Sequence, residues 1–315
     1  NTFVFKNPEA VMDNIQRVTD HLNIKLKEKY IDYKRRTLGV VKTKDDKSFF
    51  KDEVLGFWRA FTYIDNAQAH DVITKPEDLY NAGKAFGEFQ SMLADFSVET
   101  LIETIPDFHN TPKRLETFIQ AVKNNKADRA SSIKEEINYI LSNVEQCNII
   151  IDSINQGKVK IRVTHNDTKL NNVLIDNETG EGICVIDLDT VMPGTALFDF
   201  GDAVRYGAST AVEDEKDLSK VSLNIELFEQ FAKGFLGATN GYINNEELLL
   251  IPIATKIITI ELASRFLTDY LDGDVYFKTN YSNHNLDRAR NQIKLAKDIN
   301  DKMPQLVAII KNYLK

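Results

Sequence analysis

Cysteine is nearly absent: Cys147 and Cys184 are the only two in 315 residues. Two thiols cannot staple a chain of this length, which excludes a disulfide scaffold and predicts a reducing, cytoplasmic setting. Positive charge is also in short supply. A formal net charge of −8 argues against a nucleic-acid surface, which would need a basic face. It does not exclude a nucleotide, because a magnesium site is itself built from carboxylates. Long apolar runs are missing too. The most apolar stretch, Leu248 to Leu267, is broken by Pro252, Lys256, Glu261 and Arg265. That pattern suits a buried helix and not a membrane span. The start, Asn1 to Lys6, lacks the apolar core of a signal peptide.

What is present reads as an enzyme-sized globular chain, with 43% hydrophobic and 27% charged residues. Pro8 to Leu22 carries Val11, Ile15, Val18 and Leu22 at helical spacing. Three strand-like runs follow: Leu38 to Thr43, Ser48 to Lys51 and Phe57 to Ile64. The turn Lys44-Asp45-Asp46 is expected to join the first two as a hairpin. Asp65 to His70 is polar and reads as a linker. Beyond it helical stripes dominate. One is Leu79, Phe86, Phe89 and Leu93; another runs from Ile133 to Ile151 behind a predicted capping box of Ser132 and Glu135. Lys158 to Thr164 reads as a strand, and Val173 to Ile175 is expected to pair with Ile183 to Ile186. From Glu215 to Lys315 the pattern is helical, with a break at Asp272 to Asn285. The expected class is α+β. Residues 1–64 form a small sheet-plus-helix lobe, 65–70 a linker, and 71–315 a larger, mainly helical lobe.

One segment concentrates the chemistry. It runs His165-Asn166-Asp167-Thr168-Lys169-Leu170-Asn171-Asn172, then, after the hairpin, Val185-Ile186-Asp187-Leu188-Asp189. A single Asp in a loop is usually a turn former. A His-x-Asp with an Asn five residues after the Asp, and a further Asp ending an apolar strand, is far more specific. Phosphoryl transfer needs these parts: a carboxylate that takes the acceptor's hydroxyl proton, and an Asn oxygen and a second carboxylate that hold magnesium. Asp167 is the candidate base, with Asn172 and Asp187 as metal ligands. Lys169 can place a cation on the transferring phosphoryl group. His165 is expected to orient the loop, and Asp199 and Asp202 to brace it through backbone hydrogen bonds.

Residues His165 to Asn172 resemble the catalytic loop of the aminoglycoside phosphotransferase and choline kinase group. Asp187 stands where that group has its magnesium-binding Asp. Within the group, Thr164 to Lys169, Val185 to Gly194, Asp199 to Asp202, Arg265 to Tyr270, Gly273 to Lys278 and His284 to Arg288 resemble the N-acetylhexosamine 1-kinases. The resemblance implies a two-lobed protein kinase-like fold and a small-molecule kinase using ATP and Mg2+. It implies phosphorylation of the anomeric hydroxyl of N-acetylglucosamine or N-acetylgalactosamine. Lys169, Arg265 and Tyr276 would then line the sugar site, with Asp189 a further candidate. Arg265 pairing with a core carboxylate, and Tyr276 as simple packing, are the bland alternatives.

A kinase small lobe ordinarily opens with strands, a phosphate-covering loop and a phosphate-binding Lys. Here the helix signal begins at Pro8 and there is no initiator Met. The expectation is that about forty residues, the length of three strands and their turns, precede Asn1 in the native chain. The phosphate-anchoring residues are therefore not named. Rival readings are a kinase for another alcohol (choline, homoserine, an aminoglycoside), a pseudokinase binding module, and an aspartyl-nucleophile phosphatase. The last would use Asp187-Leu188-Asp189-Thr190-Val191, but needs it on the first strand of an alternating sheet.

Overall fold

The computed structural model describes every residue except 1, 3, 71, 72, 240 and 315. The helices are α1 (Pro8–Lys29), α2 (Pro76–Met92), α3 (Thr111–Asn124), α4 (Lys134–Ser142), α5 (Val144–Cys147), α6 (Ile149–Asn155), α7 (Ala196–Gly207), α8 (Ile225–Ala238), α9 (Asn245–Asp272), α10 (His284–Asp301) and α11 (Met303–Lys311). The strands are β1 (Val40–Val41), β2 (Phe50–Asp52), β3 (Gly56–Trp58), β4 (Ala60–Phe61), β5 (Ala67–Gln68), β6 (Arg162–Thr164), β7 (Val173–Asp176), β8 (Gly182–Val185) and β9 (Met192–Gly194). The chain divides into two compact units. The first comprises Asn1–Pro106, Ile161–Asp199 and Glu229–Ile243; the second comprises Asp107–Lys160, Phe200–Phe228 and Asn244–Lys315.

In the first unit, α1 runs a further two turns past Leu22, because Leu26 continues the buried stripe. Its Asn7 cap accepts the N–H of Ala10 at 3.1 Å, and Pro8 occupies the first turn, where a missing donor costs nothing. The early strands pair differently from expectation. The turn at Lys44 to Asp46 exists, but β1 pairs with β4 and β2 pairs with β3, all antiparallel. The β2–β3 hairpin sits inside the longer β1–β4 one, and the Asp52 carboxylate ties its turn by accepting from Val54 and Leu55 N–H. The segment read as linker also carries structure. β5 adds to the edge of the β7–β8 hairpin, so the order is β5-β7-β8. Ile64, Ile183 and Cys184 form the core beneath that sheet. Helix α2 lies against α8 at glycine: a Cβ on Gly83 would meet the Phe231 carbonyl oxygen at 2.6 Å.

The second unit is built around α9. Its Asn244–Glu247 capping box opens it and Gly273, at φ +102°, closes it. α3, α10 and α11 pack on it. Two of the charges that break its apolar run, Lys256 and Glu261, are satisfied within this unit. Lys256 donates to Gln146 Oε1 and Asn300 Oδ1, and Glu261 accepts from Thr111 at 2.6 Å. No helix among the described residues is long and apolar enough to cross a membrane. Two local expectations in this unit fail. Ser132 donates its hydroxyl to the Arg129 carbonyl and lies in a 3-10 turn, leaving Ile133 as the cap of α4 without a side-chain bond. The stripe from Ile133 to Ile151 is three short helices, interrupted at Asn143 and Asn148. The Asn143 amide bonds back to the Tyr139 carbonyl, the local competition that makes Asn a helix interrupter. The run expected as a strand from Lys158 pairs only over Arg162–Thr164.

Both cysteines are free and buried. Burial pushes the Cys147 thiol up to about 12 and raises that of Cys184 as well, so neither is poised as a nucleophile.

Candidate active site

The first unit builds the site from two nested antiparallel pairings. β6 pairs with β9, Thr164 facing Met192, and β7 pairs with β8, Val173 facing Val185. The Ile186 N–H donates to the Asn172 carbonyl at 2.9 Å and carries the inner hairpin one step further. The loop from His165 to Asn172 and the turn from Asp187 to Val191 therefore emerge side by side. Both turns use left-handed backbone, Asn166 at φ 64° and Asp187 at φ 57°. Asn and Asp tolerate that conformation better than other side chains bearing a Cβ.

The loop is held from beneath. The fully buried Asp199 carboxylate accepts the N–H of His165 (2.9 Å) and of Asn166 (2.7 Å), and the Gln90 amide (2.6 Å). Burial pushes this carboxyl up, while the His165 imidazole and these donors oppose the shift. Asp199→Ala should cost about 2–4 kcal/mol, because it orphans two buried backbone donors. A chemical-denaturation midpoint unchanged from wild type would show that those N–H groups find other partners. Asp202, expected to brace the hairpin, instead forms an ion pair with Arg205 in the second unit.

His165 has no solvent exposure. Its Nε2 lies 2.8 Å from the Ile186 carbonyl and its Nδ1 accepts the Asp167 N–H at 3.3 Å. A carbonyl only accepts, so this network assigns the neutral Nε2–H tautomer. The rings of Phe86 and Phe89, read from sequence as a helical stripe, meet the imidazole edge-on at 5.5 and 6.2 Å. His165 thus links the base, the packing of α2 and the strand before Asp187. Thr190 adds a bond from its hydroxyl to the His165 carbonyl, and Asn166 Nδ2 donates to the Thr190 carbonyl.

On this frame the predicted residues converge. The Lys169 ammonium lies 2.8 Å from Asp167 Oδ1. Asn172 Nδ2 donates to the Asp167 carbonyl at 2.7 Å and lies 3.5 Å from Asp167 Oδ2. With its nitrogen so engaged, the Asn172 amide turns its oxygen to other uses. Asp187 is pushed above the usual carboxylate range by burial, then by the charges of Asp189 and Asp167, against the pull of His165 and Lys169. Asp189 is paired with Arg59, which follows β3. A pocket of about 350 Å³ beside that pair is lined by Phe5, Pro8, Met12, Phe49, Phe57 and Trp58 among others.

A magnesium ion fits this donor set. No group of three or more His, Cys, Asp or Glu placed to hold a metal occurs among the described residues. Magnesium needs only one or two protein oxygens, the remainder coming from phosphates and water. Asp187 and the Asn172 oxygen would supply those, and a cation would relieve the carboxylate repulsion at Asp187.

Arg265 and Tyr276 stand in the second unit. Glu261, Arg265 and Asp269 follow one another at four-residue steps on α9 and share a face. Arg265 lies over the rings of Phe108 and Phe277, at 5.5 and 5.6 Å from their centroids. It forms no hydrogen bond with a described residue, although it is partly buried. The nearest core carboxylate, Glu261, is already taken by His109 at 2.9 Å and Thr111. Tyr276 packs edge-on against Phe277 and is 45% exposed, so it is not core packing. Its loop is fixed by buried Asp269, which accepts the N–H groups of Val275, Tyr276 and Phe277 and the Asn285 amide.

Sequence reasoning gave no role to Gln90, Arg59, Thr190 or Asp269. Thr190 and Asp269 lay inside the motif runs Val185 to Gly194 and Arg265 to Tyr270, and Gln90 beside the buried Phe86 and Phe89 positions; Arg59 left no signal.

Residues 41–222, more than half of the chain, match the phosphotransferase enzyme family. Solved structures share the fold. An aminoglycoside phosphotransferase from Alicyclobacillus acidocaldarius superposes with a TM-score of 0.61 at 10% identity, covering 96% of this chain and 84% of that one. A spectinomycin phosphotransferase solved with ADP and spectinomycin gives 0.56 at 14% identity, covering 95% and 83%. A choline kinase from Cryptosporidium parvum gives 0.53 at 13% identity, covering 94% and 80%. These matches confirm the expected α+β, protein kinase-like fold. The chain belongs to the phosphotransferase enzyme family, and it is a small-molecule kinase acting on a hydroxyl group.

Proposed function

We propose that this enzyme transfers the terminal phosphoryl group of ATP to the anomeric hydroxyl of an N-acetylhexosamine, N-acetylglucosamine or N-acetylgalactosamine. The observation that carries the reading is the convergence of Asp167, Lys169, Asn172 and Asp187 on the two nested hairpins. The ADP in the spectinomycin enzyme supports the nucleotide. Asp167 accepts the sugar's hydroxyl proton as its oxygen attacks phosphorus. Lys169, which pairs with Oδ1 of the base, orients that carboxylate and stands ready to meet the oxygens of the transferring group. Asp187 and Asn172 would hold magnesium, whose contribution is to neutralise phosphate charge. His165 and Asp199 keep the loop in register for this work.

Lys169 and Asp189 of the first unit, and separately Arg265 and Tyr276 of the second, are the proposed sugar-contacting side chains. Arg265 offers a rigid fork of donors that no acceptor among the described residues uses, and Tyr276 a partly exposed aromatic side chain. The same geometry disfavours choline. A quaternary ammonium needs empty aromatic faces, and a guanidinium already lies over Phe108 and Phe277.

A phosphoryl-transfer screen with ATP, magnesium and a panel of sugars, aminoglycosides, choline and homoserine tests the reading. Both N-acetylhexosamines should be the best acceptors. Arg265→Ala should raise the sugar KM about thirty- to a hundredfold, the loss of a charged hydrogen-bond donor from a partly buried site. Its ATP KM should hold steady. Turnover of choline or homoserine with no turnover of either sugar would overturn the substrate assignment.

A further inference from the structure

Helix α3 begins where the second unit gathers its aromatic and basic side chains. Asn110 caps the helix by accepting the Lys113 N–H, and Arg114 follows one residue later. The Arg114 guanidinium folds back over this start: Nε and Nη2 both donate to the Phe108 carbonyl, at 3.1 and 3.0 Å. It lies 5.9 Å from the centroid of the Phe108 ring, the ring that Arg265 also covers. Two guanidiniums from different helices therefore meet at one aromatic side chain.

Like charges brought together and half-desolvated are unfavourable without a reason. Burial and the charge of Arg265 both draw the Arg114 pKa down, with only partial relief from Glu261 and Tyr276. Glu261 hydrogen-bonds neither arginine; its two oxygens accept from Thr111 and pair with His109. After the Phe108 carbonyl has taken Nε and Nη2, the Nη1 end of Arg114 has no acceptor among the described residues. Arg265 has none for any donor. The pair is thus a preformed set of N–H donors around an aromatic ring, lacking only a ligand oxygen.

We infer that Arg114 is a specificity-determining residue of the sugar site, donating with Arg265 to the acetamido carbonyl of the acceptor. This rests on the N-acetylhexosamine reading above. On such a sugar the amide oxygen is the strongest uncharged acceptor, and it has lone pairs for two donors. The acetyl methyl can pack against Phe108. A sugar without the acetamido group leaves both guanidiniums unpaired, which is the kind of penalty that gives a site its discrimination.

The test compares kcat/KM for N-acetylglucosamine and for glucose in wild type, Arg114→Ala, Arg114→Lys and Arg265→Ala. Thermal unfolding should be recorded for each, because Arg114 also braces residue 108. Arg114→Ala should lower the efficiency with N-acetylglucosamine about twentyfold, mostly through KM, and that with glucose less than about threefold. Arg114→Lys keeps the charge but loses the fork. It should show the same selective loss with a native melting temperature, and it carries the test if the alanine variant does not fold. Equal losses on both sugars, or no loss on either, overturn the role of Arg114. If Arg265→Ala is also silent, it is the sugar assignment of the second unit that has failed. If Arg265→Ala alone raises the KM, that assignment stands and the inference about Arg114 falls.

Discussion

Asp167→Asn is expected to lower kcat about a thousandfold while leaving the KM for ATP within about threefold. The amide keeps the size of the carboxylate but cannot accept a proton, so the loss falls on the chemical step. The loop should survive the change. Its frame is made of the Asp199 bonds to His165 and Asn166 and of the Asn172 bond to the Asp167 carbonyl, all of which involve backbone groups at the loop. The side-chain cost falls on Lys169, which loses its 2.8 Å ion pair with Asp167, and on the 3.5 Å contact of Asn172 Nδ2 with Asp167 Oδ2. Steady-state kinetics with saturating sugar, together with a nucleotide titration, separates the two quantities. A variant that loses ATP affinity in parallel with kcat would mean that Asp167 holds the nucleotide complex and not the proton.

Asp187→Asn should be more damaging to turnover and, without magnesium, less damaging to the fold. An amide is a poor replacement for a magnesium carboxylate, so kcat/KM should fall by about a thousandfold or more, with partial recovery at high magnesium. The stability effect runs the other way. Burial and the neighbouring Asp189 and Asp167 raise the Asp187 pKa, so the folded chain holds this proton more tightly than the unfolded one. The stability contributed by this group is fully present below its unfolded pKa and is lost as pH rises through the folded pKa. At neutral pH, with a chelator present, the charged carboxylate is therefore a cost. Its removal should raise the Tm slightly, a gain kept small because this side chain is solvent-exposed and its repulsions are screened. The gain should vanish in acid, where the wild-type carboxyl is protonated, and magnesium should raise the wild-type Tm but not that of the variant. A variant less stable than wild type at neutral pH in chelator would show that Asp187 is held by local donors and not poised against its neighbours.

These two effects share an origin. On the proposed reading, these carboxylates stand where a metal ion and a substrate would need them, at the cost of mutual repulsion. His165 works in the opposite direction. Sealed from solvent and bonded at both ring nitrogens, it contributes rigidity to a loop that is otherwise polar. Preorganisation of this kind is what allows a single carboxylate to act as base without a second one to orient it.

Much of the catalytic segment was legible because it is local. Asp167, Asn172 and Asp187 lie on one stretch of strand, loop and hairpin, and β-pairing across a short turn follows from alternation and turn residues. The long helices α1, α2 and α9 were legible for a similar reason, their apolar residues recurring along the chain. Ser132 shows where such local reading stops. Its spacing to Glu135 fits a capping box, yet its hydroxyl had a nearer acceptor in the Arg129 carbonyl. The early strands show it again: each run was recognised, but which run paired with which was not.

The residue types and their order by themselves pointed to the reaction class, through the spacing of two carboxylates and an amide along one hairpin. Only the tertiary structure decided what holds these groups and what meets the acceptor. Gln90 reaches Asp199 across 109 positions, Arg59 comes from a distant strand end to Asp189, and Arg114 meets Arg265 at Phe108. Such partners leave no periodic or spacing signal. Their meeting is fixed by how helices and sheets pack, and a side chain's hydrogen-bonding capacity does not reveal which distant group will use it.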